Sequence, residues 1–298
     1  MNTIINKWTP GNVDISVILI TLNEGHNLEK VLHNLNGWAK EVYILDSFSI
    51  DNTVDIALDY GVKIFQRKFD GFGNQWNAAL NFLPIRTKWV MKLDPDELLS
   101  INLKSSIEKA LLVDNFSGII IKRRLWFLNK PLPVIQKILR IWRNNTCRFT
   151  DVSVNEHPIV EGKIIKINGY LEHFDSPSLD HWITKQNEYT TKEAENQFLK
   201  FNQGFTPRIF GNNNQRMAWL KKNFWKFPFR YQILFLYHYF YLGSFMAGKV
   251  GLIWSHLRVE VYRSWEYKFL EMRLKNNIYE KYPKSPGKSD PRVKLLND

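Results

Sequence analysis

Three carboxylates fall within four positions in Asp94-Pro95-Asp96-Glu97, directly after the apolar stretch Trp89-Val90-Met91-Lys92-Leu93. Asp94 and Asp96 are two apart around a turn-forming proline, so both side chains can reach one point. Paired carboxylate oxygens suit a hard divalent cation, Mg2+ or Mn2+, with positions left open for substrate phosphates. The apolar stretch reads as a buried strand, and the carboxyl end of such a strand is where open α/β sheets bind ligands. An isolated Asp-Pro-Asp is more often a solvated acidic turn. Here it has company: Thr21-Leu22-Asn23-Glu24 closes one β-branched run and Asp46 closes another. Taken singly, Glu24 could serve the dipole of the following helix and Asp51 could cap the next one. Together the polar clusters converge on one sheet edge and favour a nucleotide site.

The elements that position these groups alternate regularly. Asp14–Thr21, Glu41–Asp46, Val62–Phe65 and Trp89–Leu93 read as strands. Between them, Asn27–Leu35 carries Leu28, Val31, Leu32 and Leu35 at helical spacing, and the turn Ser47–Thr53 leads into a helix with Val54, Ala57 and Leu58 inward that Gly61 closes. A third helix opens through Gly71-Phe72-Gly73. The expectation is an α/β fold with a parallel, doubly wound sheet. Beyond Glu97, 102–113 reads as a helix, 118–127 as a long strand, and 138–167 as several short strand pieces forming an antiparallel extension. Helices are expected over 179–201 and 250–274, with a loose tail from 281. The expected domains are a catalytic unit over 1–205, a helical membrane-associating region over 206–280, and a flexible tail over 281–298.

An apolar content of 44% supports a real core and excludes a disordered chain. The single cysteine, Cys147, excludes an internal disulfide framework and fits a reducing cytoplasm. Met1–Pro10 lacks the apolar core of a signal peptide, so export is not expected. Residues 1–200 hold 24 Lys and Arg against 23 Asp and Glu, whereas 201–298 hold 17 against 6, so the basic character belongs to the last third. There, Trp219–Tyr231 interleaves cations with large aromatics, as an interfacial segment facing anionic lipid does. Ile233–Trp254 is strongly apolar but carries His238, Ser244 and Lys249, which favours interfacial or buried helices over a membrane span. No nucleic-acid-binding motif accompanies the basic residues, and the acidic sheet edge would repel phosphate without a metal.

Val17-Ile-Leu-Ile-Thr-Leu-Asn-Glu24, then Leu45-Asp-Ser-Phe-Ser-Ile-Asp-Asn-Thr53, then Leu93-Asp-Pro-Asp-Glu97 resembles the family 2 glycosyltransferases of GT-A fold. In detail it is similar to the bacterial branch that glucosylates lipopolysaccharide core or builds exopolysaccharide. The resemblance implies an inverting, metal-dependent transferase that moves a sugar from a nucleotide diphosphate, UDP foremost, to a lipid-linked or lipopolysaccharide acceptor. Such an enzyme is expected in the cytoplasm, peripheral on the inner face of the membrane. By position, Asp46 matches the acid on the uracil ring, and Thr21, Asn23 and Glu24 match residues lining base and ribose. Asp94 faces ribose or a metal-bound water, and Asp96 binds the Mn2+ or Mg2+. Val154-Asn-Glu156-His157 matches the family's base segment, with Glu156 the expected general base and His157 its competitor. His173 matches a late histidine that reaches the metal or diphosphate, and Arg143 or Lys137 is expected at the diphosphate. One departure is Phe48, which stands where the family keeps glycine. The competing readings are a sugar nucleotidyltransferase, whose Gly-rich basic loop is missing after the first strand, and a catalytically silent GT-A-like protein that binds membrane or nucleic acid.

Overall fold

The computed structural model describes residues 7–113, 115–150, 157–199, 208–211, 215–216, 219–220, 223–278 and 289–296. The chain divides into two compact units interleaved in sequence. One is Met1–Arg124 with Gln136–His173 and Lys284–Asp298; the other is Leu125–Ile135 with Phe174–Pro283.

The first unit is built on the parallel strands β1 (Val13–Thr21), β2 (Ala39–Asp46), β3 (Lys63–Gln66) and β4 (Trp89–Lys92). Their order, β3-β2-β1-β4, reverses beside β1. Helices α1 (Gly25–Leu35), α2 (Thr53–Tyr60) and α3 (Phe72–Phe82) make the crossovers. β1 is a β-branched run because both of its faces are covered. Ile15, Val17 and Leu19 pack with Leu28, Val31, Leu32 and Leu35 of α1, while Ile18 packs on the other face with Trp76 of α3 and Trp142.

After β4 come β5 (Glu97–Leu99), α4 (Ile101–Val113), β6 (Gly118–Phe127), β7 (Lys130–Arg143), β8 (Cys147–Phe149), β9 (Pro158–Val160) and β10 (Ile164–Phe174). β7 runs antiparallel to β4, and β10 antiparallel to β5 with His173 opposite Glu97. Of the short pieces expected over 138–167, only β8 and β9 are short. β7 and β10 are long strands, and β7 begins through Pro131 and Pro133, which read as turn residues but are tolerated at a strand's start. The tail also departs from expectation. Its end forms β11 (Lys294–Leu295), parallel to β3, because Val293 and Leu296 are apolar enough to be buried against the sheet.

The second unit holds α5 (Leu179–Phe198), α6 (Arg230–Leu236) and α7 (Lys249–Lys275). Trp182 and Trp254 pack with Phe127 and Leu132 of the β6–β7 turn, and Ala194 packs with Trp265 and Met272. A π-helical turn over Tyr237–Tyr241 and a 3-10 turn over Ser244–Ala247 link α6 to α7. Gly251 allows the close crossing there, since a Cβ on it would lie 1.7 Å from the Ser244 carbonyl oxygen. No helix among the described residues is long and apolar enough to cross a membrane.

Candidate active site

The parallel register sets Thr21 beside Asp46 and Asp46 beside Gln66 at the carboxyl ends of β1, β2 and β3. Asp46 is fully buried, and its carboxylate accepts from Thr21 Oγ1 at 2.9 Å, the Ser49 amide at 2.9 Å and Gln66 Nε2 at 3.0 Å, besides the Ser49 hydroxyl. Asn23, at φ +58°, donates its amide to Ser49 Oγ and accepts from the Ile50 amide. The Glu24 amide donates to Thr53 Oγ1, and its carboxylate accepts from Asn27 Nδ2. Asp51 accepts from the amides of Gly25 and Thr53, so it clamps the start of α1 while serving α2. Gly25 permits this: a Cβ there would meet Asn52 Oδ1 at 1.9 Å. The first two motifs therefore lace two loops together. The residues matched to base and ribose shape the rim through mutual hydrogen bonds.

Phe48, in that second loop, sits at φ +61°, the left-handed region that glycine enters without strain. It lines a cavity of about 410 Å³ with Gln66, Arg67, Lys68, Asp70, Leu295 and Leu296. Arg67, buried at its floor, makes a two-armed pair with Asp70 and donates to Gln75 Oε1 at 2.8 Å.

The third cluster lies at the end of β4. Arg140, on β7, donates to Asp94 Oδ2 and Glu97 Oε1, both at 2.6 Å. Arg123, on β6, reaches Glu97 at 3.1 Å and Asp94 at 3.8 Å. Glu97 is wholly buried and also accepts the Asp94 amide. Burial opposes the Asp94 charge, but Arg140, Lys92 and Arg123 outweigh it and hold its carboxyl well below the usual range. Burial pushes Glu97 up; Arg140 opposes this and the Asp94 charge adds to it. Asp96 places its Oδ2 3.2 Å from His173 Nε2. The β5–β10 pairing that sets His173 opposite Glu97 brings this about. Burial alone would lower the His173 pKa, yet the Asp96 carboxylate beside it raises it. A carboxylate oxygen and an imidazole nitrogen side by side are donors that divalent metal ions take, so these residues fit such an ion.

Of the remaining expected residues, Glu156 lies outside the described residues. His157 is exposed, and its backbone pairs with Thr150 where β8 and β9 meet. The Arg143 guanidinium lies over Trp89 and donates to the Phe116 carbonyl, and Lys137 is exposed. The arginines at the acids are instead Arg140 and Arg123. Arg140 was detectable as the one charge in Ile138-Leu-Arg-Ile-Trp142, since a cation in a buried run needs an acid partner. Lys92, over the Trp76 ring at 4.5 Å, carried the same signal in its own strand.

Residues 16–160 match the model of glycosyl transferase family 2. That stretch is a family 2 glycosyltransferase domain. This glycosyltransferase is 28% identical over 252 residues to the lipopolysaccharide core biosynthesis glycosyltransferase LpsC of Rhizobium meliloti, covering 80% of this chain and 85% of the relative. It is 26% identical over 197 residues to an uncharacterized glycosyltransferase of Rickettsia typhi, covering 61% and 67%. Among solved structures, it overlaps Staphylococcus aureus TarS 1-349 in complex with UDP-GlcNAc at a TM-score of 0.43 and 15% identity, covering 89% and 93%. That overlap is loose and adds nothing to the family match.

Proposed function

We propose that this glycosyltransferase moves a sugar from a nucleotide diphosphate sugar, UDP by the resemblance of its motifs, to a hydroxyl of a lipid-linked or lipopolysaccharide acceptor at the inner face of the cell membrane. The observation that carries the reading is the Asp96–His173 pair standing beside Asp94 at the carboxyl end of β4. The likeness to LpsC supports the acceptor class.

In this reading Asp96 and His173 hold a divalent cation, Mn2+ or Mg2+. Bound there, the cation supplies Lewis-acid neutralisation of the departing diphosphate. Arg140 and Arg123 keep Asp94 ionised and oriented toward the ribose side. Glu156 takes the proton from the acceptor hydroxyl as its oxygen attacks the anomeric carbon. The bond to the nucleotide diphosphate breaks in the same displacement, the electron pair leaves with the diphosphate, and the configuration inverts. His157, one residue on, positions that segment.

The test is single-turnover transfer and donor hydrolysis with a panel of nucleotide sugars, with Mn2+ and with excess EDTA. Metal-dependent turnover that Asp96→Ala abolishes is the expected result. Full activity in EDTA would remove the cation from the reading. Hydrolysis of no nucleotide sugar would favour a silent GT-A protein instead.

A further inference from the structure

From Asn196 to Val259 the chain carries nine Lys and Arg and no Asp or Glu. Within this acid-free stretch, apolar side chains point outward. Phe229, Ile233, Leu236, Tyr237 and Phe240 recur at three- and four-residue spacing along α6 and the π-turn, and all are exposed, Phe229 by 74%. Tyr241 and Met246 continue the surface at 79% and 68%. A helix on the surface of a water-soluble protein normally turns polar groups outward, and a contiguous exposed apolar patch of this extent marks an interaction surface.

The inward side is already filled. Phe235 packs on His256 of α7 with ring centroids 4.6 Å apart, and His238 packs edge-on against Trp254 at 5.1 Å. The outer residues are thus not core side chains displaced by a slipped register. The π-turn holds Tyr237 and Tyr241 in a stack at 5.1 Å, so both present along the same surface. Exposed Lys226 and Lys249 flank the face.

We propose that the face from Phe229 to Met246 docks this enzyme onto an anionic lipid bilayer, lying in the plane of the interface. This deepens the reading of a lipid-linked acceptor by naming the surface that would bring the enzyme to it. Tyrosines and phenylalanines take headgroup depth, Ile233, Leu236 and Met246 enter the acyl boundary, and the acid-free basic stretch meets anionic headgroups. A second copy of the chain fits poorly, since it would set one acid-free cationic stretch against another. Nucleic acid would find aromatics to stack on but gain little from the aliphatic side chains between them.

The test is co-sedimentation of the full chain with phosphatidylcholine vesicles that contain or lack phosphatidylglycerol. The variants are Ile233→Asp and Phe240→Asp, with Leu112→Asp on α4, also exposed, as a control. The full chain and the control should sediment with anionic vesicles, and binding to purely neutral vesicles should be far weaker. Each face variant should lose roughly tenfold or more in vesicle affinity, while its melting temperature and its donor hydrolysis in solution stay unchanged. Undiminished binding by both variants, equal binding to neutral vesicles, or a dimer that these substitutions split would each overturn the assignment. Because vesicle binding is read without donor, a failure of the glycosyl-transfer reading would show separately, as absent hydrolysis in every protein.

Discussion

Phe48 carries a backbone conformation that suits glycine, at φ +61°. Left-handed geometry costs a side-chain-bearing residue about 1–2 kcal/mol, so the usual order of residues is inverted at this site. Phe48→Gly should be more stable than Phe48→Ala by about 1 kcal/mol, readable as a difference in denaturant midpoint. An alanine variant as stable as the glycine variant would show that the strain is absent. The neighbouring Asp46 behaves differently from a group waiting for a ligand. Its carboxylate is buried and holds hydrogen bonds from Thr21, Ser49 and Gln66. Asp46→Ala strands those donors and should lower stability by roughly 3 kcal/mol, alongside any loss of donor affinity. A change confined to donor binding, with an unaltered melt, would contradict this. Glu156→Gln keeps size and hydrogen-bonding reach but cannot take a proton. Transfer should fall by about 100- to 10,000-fold with donor affinity nearly unchanged. A variant within a few-fold of the parent, beside a crippled His157→Ala, would give the role to the histidine. The identity of the polar residues at the sheet edge was readable from order and spacing. What the sequence could not show was how far they would be spent on each other, because pairs such as Thr21–Asp46 and Gly25–Asp51 are contacts between loops more than twenty residues apart.

At the scale of elements, the β-α alternation through β4 followed directly from periodicity, since strands covered on both faces read as unbroken apolar runs. The antiparallel half was harder. β7 mixes prolines, Lys137 and Arg140 into a fourteen-residue strand, and Arg140 makes sense only once β7 lies beside the acids after β4. β11 was hidden for a similar reason: two residues form a strand only because β3 offers a free edge. The π-turn before α7 holds another tertiary effect. His238 is buried, and neither ring nitrogen has a hydrogen-bond partner among the described residues. Burial, with Arg258 nearby adding to it, pushes its pKa down to about 3 from 6.5. Between those values the unfolded chain binds a proton that the folded chain refuses, so stability is lost as pH falls below 6.5. His238→Phe should raise stability at neutral pH by about 1 kcal/mol and flatten the acid side of the profile. Melts from pH 7.5 to 4 that superimpose in slope for parent and variant would contradict this (the range is set roughly by the two pKa values).

For the whole molecule, charge is the organising asymmetry: near balance through residue 200, and 17 cations against 6 acids after it. In the proposed reading donor chemistry belongs to the first unit, where the arginines at the candidate site are paired with buried or half-buried acids at 2.6–3.1 Å. Close, desolvated pairs of this kind are little screened by salt. The acid-free basic stretch is a different case, because it would act on a bilayer across water, over distances comparable with the Debye length. That length shrinks from about 10 Å at 0.1 M salt to about 3 Å at 1 M. Transfer to an acceptor embedded in anionic vesicles should therefore decline steeply across that salt range, while hydrolysis of the nucleotide sugar in solution stays nearly flat. Replacing Lys226 and Lys249 together with glutamine should reproduce the loss at low salt and leave hydrolysis untouched. If both reactions fell in parallel, salt would be acting on the catalytic site itself, and the basic third of the chain would have no separate part in bringing acceptor and enzyme together.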